Sequence, residues 1–336
     1  MNTATKLGAF ALGLAAVFGG AVGIGNVTGP VGAAAEAGGQ GNGQGQGGGH
    51  SGHGGSGSGS GTAGGDTPTP VPGGLQVSQD GYTFSPEATT VKAGKETDFR
   101  FTIDGPDGKP VTRYTLLHGK KLHLIVARRD LSGFQHLHPT EAGGGVWTIP
   151  LTLPDAGAYR FFADVQPEGA AKQLTLGTDV SAPGDFEPVP LPEAAQVAEV
   201  DGYEVRLDGT LEPGRSSKLT LTVSKDGAPV TDLEPYLEAY GHLVALRDRD
   251  LAYLHVHPDG EPGDGKTRPG PAITFYAEVP SSGAYRLYLD FQHGGKVRTA
   301  EFTARAGTAG NPGKTGGTPT PAPSESGGDG HDHEHG

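Results

Sequence analysis

Between residues 75 and 181, apolar and polar side chains alternate in short runs. Thr97 to Ile103 sets Phe99, Phe101 and Ile103 on one side and Asp98, Arg100 and Thr102 on the other, the period of two that marks a half-buried strand. The pattern predicts further strands at Leu122–Arg128, Phe134–His138, Val146–Leu151, Gly157–Val165 and Gln173–Thr178. Turn signals such as Asp104-Gly105-Pro106-Asp107-Gly108 and Gly143-Gly144-Gly145 separate them. No twelve-residue stretch repeats at 3.6. Short strands at this spacing predict a β-sandwich of the immunoglobulin or cupredoxin type.

After Ala182–Ala195, where Pro183, Pro188, Pro190 and Pro192 read as a semi-rigid spacer, the pattern begins again. Asp201-Gly202-Tyr203 repeats Asp80-Gly81-Tyr82, and Gly283-Ala284-Tyr285-Arg286 repeats Gly157-Ala158-Tyr159-Arg160. Asp290 and Gln292 stand at the offsets of Asp164 and Gln166. The chain is an internal duplication. The expected fold class is all-β: two tandem immunoglobulin/cupredoxin-like β-sandwich domains, 75–181 and 197–306, with disordered termini and an N-terminal apolar helix.

The ends differ from this body. Lys6 precedes an uncharged apolar run from Leu7 to Gly25, near the ~20 residues that span a bilayer. Residues 1–30 therefore read as an uncleaved signal anchor or a cleaved signal peptide. Both place the body outside the membrane, because the next Lys or Arg after Lys6 is Lys92. Residues 31–74 are a Gly/Ser-rich linker, and 307–336 a His- and acid-rich tail ending in His331-Asp332-His333-Glu334-His335. The sequence predicts a protein of the cell membrane with extracellular domains, or a secreted one.

Composition then narrows the chemistry. A formal net charge of −13 argues against nucleic acid as a partner and suits cations. With no cysteine and Met1 as the sole methionine, disulfides, thiolate sites and thioether copper sites are excluded. A metal site here must be built from imidazole and oxygen.

The 13 histidines supply a pattern. His123, His136 and His138 recur as His242, His255 and His257, both triplets spaced His-x12-His-x-His-Pro. Between 123–139 and 242–258, six of 17 residues are identical; three are the histidines, and the others are Leu124/Leu243, Arg128/Arg247 and Pro139/Pro258. His136 and His138 are two apart on a strand and share a face. If 128 pairs with 133 in a hairpin, His123 lies opposite His138; a shift of two sets it opposite His136. Either register puts three imidazoles on one face, and the same arithmetic applies to the second copy. Such a set suits Cu(II) or Zn(II), with water, Asp164 or Asp290 as a further ligand, and with His331, His333 and His335 as a weak chelating tail. The plainer reading is that these histidines hold turns. His118 and His293 have no counterpart and read as surface residues; Tyr159 and Tyr285 read as core aromatics.

Tyr240-Gly241-His242-Leu243-Val244-Ala245-Leu246-Arg247 followed by Asp250-Leu251-Ala252-Tyr253-Leu254-His255-Val256-His257-Pro258 resembles a group of bacterial, especially actinobacterial, secreted or membrane-anchored proteins. Some of these carry a generic heavy-metal-binding label. The first copy is a looser version of the pattern. The resemblance implies an extracytoplasmic setting and an association with metal. The sandwich also resembles cupredoxins in outline but departs from them, because a blue-copper site needs a cysteine.

Three functions compete on this reading. The first is a metal-binding protein for copper or zinc handling, held to the membrane by its N-terminal segment. The second is a non-catalytic adhesion or interaction module with structural histidines. An enzyme is disfavoured: there is no Gly-x-Ser-x-Gly elbow, no His-Glu-x-x-His and no phosphate loop.

Overall fold

A computed structural model describes residues 71–307. The apolar N-terminal run, nearly all of the linker and the His-rich tail, with His331, His333 and His335, lie outside the described residues. Among the described residues there is no helix, and so none long and apolar enough to cross a membrane.

The first sandwich comprises β1 (Ser78–Gln79), β2 (Tyr82–Pro86), β3 (Thr97–Asp104), β4 (Leu122–Arg128), β5 (Gln135–Leu137), β6 (Thr140–Gly143), β7 (Val146–Leu151), β8 (Gly157–Val165) and β9 (Leu174–Ala182). One sheet runs β1-β2-β3-β7-β6 and the other β5-β4-β8-β9. Phe99, Phe101 and Ile103 point into the core between them, with Phe84, Trp147, Tyr159 and Phe161. The alternation located β3, β4, β7 and β8 but not the short strands β1, β2 and β6, whose runs are too brief to show a period.

The second sandwich repeats the plan with β10 (Val197–Val200), β11 (Tyr203–Gly209), β12 (Arg215–Lys225), β13 (Ala228–Pro229), β14 (His242–Arg247), β15 (Val256–Pro258), β16 (Ala272–Val279), β17 (Gly283–His293) and β18 (Lys296–Ala306). Its sheets run β10-β11-β12-β16-β15, with β13 on β12, and β14-β17-β18. Tyr203, Phe275, Tyr285, Phe291 and Phe302 fill its core.

The two sandwiches form one compact unit, and burial along β4 shows how. All seven of its residues are buried. Leu122, Leu124 and Val126 face the core of their own sandwich, whereas Ile125 and Ala127 face outward into a third apolar cluster. That cluster joins Ile125, Ala127, Leu131 and Phe162 to Val244, Leu246, Leu251 and Tyr288 of the second sandwich. The outward faces of β4–β8 and β14–β17 therefore meet. Along the chain these faces look polar, since Phe162 sits between Arg160 and Asp164 and Tyr288 between Arg286 and Asp290, yet both aromatics are buried at the junction.

Two shared residues hold equivalent corners. The Arg128 guanidinium, 3% exposed, donates to Asp130, Ser132 and the carbonyls of Ala156 and Glu187, tying the spacer to the β4–β5 loop. Arg247 repeats the role on Asp250 and Ser281. Tyr159 and Tyr285 are both fully buried. Each hydroxyl donates to the carbonyl four residues upstream, Asp155 at 2.9 Å and Ser281 at 2.7 Å, as in a tyrosine corner. Tyr285→Phe should cost about 1 kcal/mol in urea unfolding, the net worth of one hydrogen bond. An unchanged midpoint would mean that the bond adds nothing.

Candidate metal centre

In the first copy, Leu124 pairs with Leu137 and Ile125 with His136. Continuing that register by one residue sets His123 opposite His138, on the outward face shared with Ile125. On the other side of β4, His123 pairs with Asp164. His123 is buried at 3% exposure, while His136 and His138 are partly buried. One ring nitrogen from each of the three lies within 4.8 Å of the others.

The hydrogen bonds fix the orientation of two of these rings. His123 Nε2 donates to the Leu117 carbonyl at 2.8 Å. His136 Nδ1 donates to Asp290 Oδ2 at 2.7 Å, across the junction between sandwiches, and Thr299 donates to the other oxygen of Asp290 at 2.6 Å. Carbonyl and carboxylate oxygens only accept, so in neutral rings both outward nitrogens carry the proton. The inward nitrogens, His123 Nδ1 and His136 Nε2, are 3.1 Å apart, and each is left with a lone pair. Two acceptors at that distance need a cation between them, either a shared proton or a metal ion. The buried Nε2 of His138 has no hydrogen-bond partner, and in the tautomer protonated on Nδ1 it supplies a third unshared pair.

The second copy departs from the sequence expectation. Leu254 donates to the Ala245 carbonyl, so the hairpin with β14 begins as in the first copy, but the chain then leaves it. Residues 256–258 pair instead with β16, Val256 to Ala277 and His257 to Tyr276. In the first copy, the β6–β7 hairpin closes through the tight Gly143–Gly145 turn, and β6 covers the edge of β7. In the second copy the hairpin is replaced by the long loop 259–271, and the ladder on β16 extends back to Val256. His255 and His257 are consequently exposed, and His242, His255 and His257 do not form the predicted one-face triplet.

His242 finds its neighbours in the other sandwich. Its ring stacks on His123 at 5.7 Å between centroids and 18° between planes, and it lies 5.7 Å from His136. Its Nε2 is buried without a partner. His118, expected on the surface, stands edge-on to His242 at 4.7 Å. The turn that places it is the bridge Leu117–Lys120, with His118 and Gly119 at φ of 49° and 72°, as a type I′ turn requires. The signal for this was the His-Gly pair before a strand. His293 is partly buried and held by Tyr203 and Asp232.

The two predicted carboxylates have different roles from the one expected. Asp290 pairs in register with His242 but bonds the outer nitrogen of His136, where it orients that ring. Both oxygens of Asp164 are taken by Gln173, and one also by Thr175; burial pushes its pKa up to about 6. It lines, with six of the histidines, a cavity of about 40 Å³ at the junction, room for an ion and a water or two.

Burial holds the His123, His138 and His242 rings neutral. Desolvation, reinforced by His136, lowers His123 to about 4 and His138 to about 3, and desolvation drives His242 well below its ordinary value. The folded pKa is depressed, so the metal-free protein keeps this stability above pH ~6.5 and loses it as pH falls. For His123 alone the loss is about 3 kcal/mol by pH 4. Chemical denaturation of metal-free protein between pH 7 and 4 checks this; a flat profile would show that these rings are solvated.

A domain model described as Domain of unknown function (DUF8832) matches twice, over residues 76–182 and 198–308. Among curated proteins nothing matches. Similar solved structures include the Escherichia coli adhesin FdeC, at 17% identity and TM-score 0.22, with 69% of this chain and 65% of that one covered. Salmonella alpha-2-macroglobulin reacted with methylamine has 15% identity and TM-score 0.23, with 71% and 15% covered. Yersinia pseudotuberculosis InvD has 12% identity and TM-score 0.23, with 71% and 62% covered. The chain thus spans less than two thirds of the length of each.

Proposed function

We propose, for a chain that belongs to the DUF8832 family, that the paired sandwiches are an extracytoplasmic metal-binding body that holds Cu(II) or Zn(II) through His123, His136 and His138. The observation that carries this reading is the 3.1 Å approach of His123 Nδ1 to His136 Nε2, two rings whose outer nitrogens are already committed to Leu117 and Asp290, with the partnerless Nε2 of His138 beside them. In a tetrahedral site with bonds of ~2.0–2.1 Å, ligand nitrogens sit about 3.3 Å apart. The pair at 3.1 Å and a third nitrogen within 4.8 Å reach that geometry with shifts of up to about 1.5 Å. The Leu117 carbonyl and Asp290 fix the tautomers, as partners of metal-bound imidazole do. The apolar run after Lys6, with no further Lys or Arg before Lys92, supports the extracytoplasmic setting.

Titration of the full chain with Cu(II) or Zn(II), with elemental analysis after gel filtration, tests the reading. At least one retained ion per chain is expected when His331, His333 and His335 are replaced by alanine. No retained ion would leave the histidines structural and favour an adhesion or interaction module. Asp290→Asn should weaken the ion about 10–100-fold, the usual effect of losing such a partner. An affinity within twofold of the parent would show that Asp290 does not act through His136.

A further inference from the structure

Four histidines surround the centre without belonging to the inner triplet: His118, His242, His255 and His257. Three line the same cavity from the second sandwich, and His118 enters from the first. His242 is the anchor. Its Nε2 is buried without a partner, and its ring stacks on His123 of the inner triplet. His118 meets it edge-on, 4.7 Å between centroids. His255 and His257 are perpendicular to each other at 4.2 Å, at the exposed mouth. The Glu238 carboxylate neighbours the His118–Gly119 turn, a negative charge beside the entrance.

We infer that these four histidines form a second, outer cation site for a divalent transition metal, adjacent to the inner one and built from both sandwiches. The inference rests on the proposed function, whose cation it extends from one to two. The outer nitrogens do not converge within 4.8 Å as the inner ones do, since only the inner triplet meets that spacing among the described residues. The outer site therefore closes around its ion, and it binds more weakly than the preformed one. The switch of residues 256–258 onto β16 is what frees His255 and His257 from β14 and sets them at the mouth.

Zn(II) calorimetry on the full chain, with His50, His53, His331, His333 and His335 replaced by alanine, tests this. Two ions are expected, the second at least 10-fold weaker. His255→Ala/His257→Ala, at two exposed positions that the fold does not need, should abolish the second and leave the first within threefold. His118→Ala should weaken the second by at least 10-fold. A single ion in the parent, unchanged in the double variant, overturns the outer site and leaves the inner reading standing. Loss of the tight ion in the double variant also overturns it, by making these residues ligands of one composite site. No ion at all in the parent removes both readings.

Discussion

Replacing His136 by alanine is expected to weaken ion binding about 10²–10³-fold. A structural zinc site provides about 10–16 kcal/mol, or about 2.5–4 kcal/mol for each of four ligands, and 1.4 kcal/mol is a factor of ten. His136 joins the two halves of the centre: its Nε2 faces His123 at 3.1 Å and its Nδ1 reaches Asp290 of the other sandwich at 2.7 Å. The variant removes a ligand and also strands the buried Asp290 carboxylate. Competition titration against a chelator of known affinity measures the first effect. The double variant His136→Ala/Asp290→Asn, which removes the stranded charge, separates it from the second. If the double variant regains the parent's affinity, His136 is not a ligand.

Tyr288→Ala is expected to destabilise the chain by about 3–5 kcal/mol, the range for deleting a buried aromatic. Tyr288 is fully buried between the sandwiches. Its ring stacks on Phe134 at 3.9 Å and 6°, and its hydroxyl donates to the Leu131 carbonyl at 2.6 Å. Both partners belong to the β4–β5 loop, which leads directly into β5 and His136. The substitution should therefore loosen the centre as well as the fold, with ion affinity falling alongside the urea midpoint. Tyr288→Phe keeps the ring and should cost about 1–3 kcal/mol, for the carbonyl left unsatisfied. If Tyr288→Ala unfolds at the parent's midpoint, the junction is not part of the cooperative unit.

The sequence determined the strands, the duplication and half of the centre. Period-two alternation is a local property, so Phe99, Phe101 and Ile103 announced their own buried face. A three-histidine hairpin needs only a register, and continuing the pairing of Leu124 with Leu137 realised one of the two allowed. Arg128 and Arg247, which stood out only as identities, proved to clamp equivalent loops. The second triplet could not be read the same way. Its hairpin register was legible, but which sheet edge takes Val256–Pro258 depends on what else covers β16, a question of competing long-range ladders.

The tertiary structure alone decided that the outward faces of the two copies meet. Ile125 and Phe162, or Val244 and Tyr288, look along the chain like apolar residues scattered on a polar face. Only their mutual burial makes His123 and His242 neighbours and carries Asp290 to His136, 154 positions away. A contact at that separation leaves no trace in local periodicity, because it depends on apolar area buried between two finished sheets. The spacing His-x12-His-x-His-Pro was written twice in the chain, but the fold brings most of both copies to one junction.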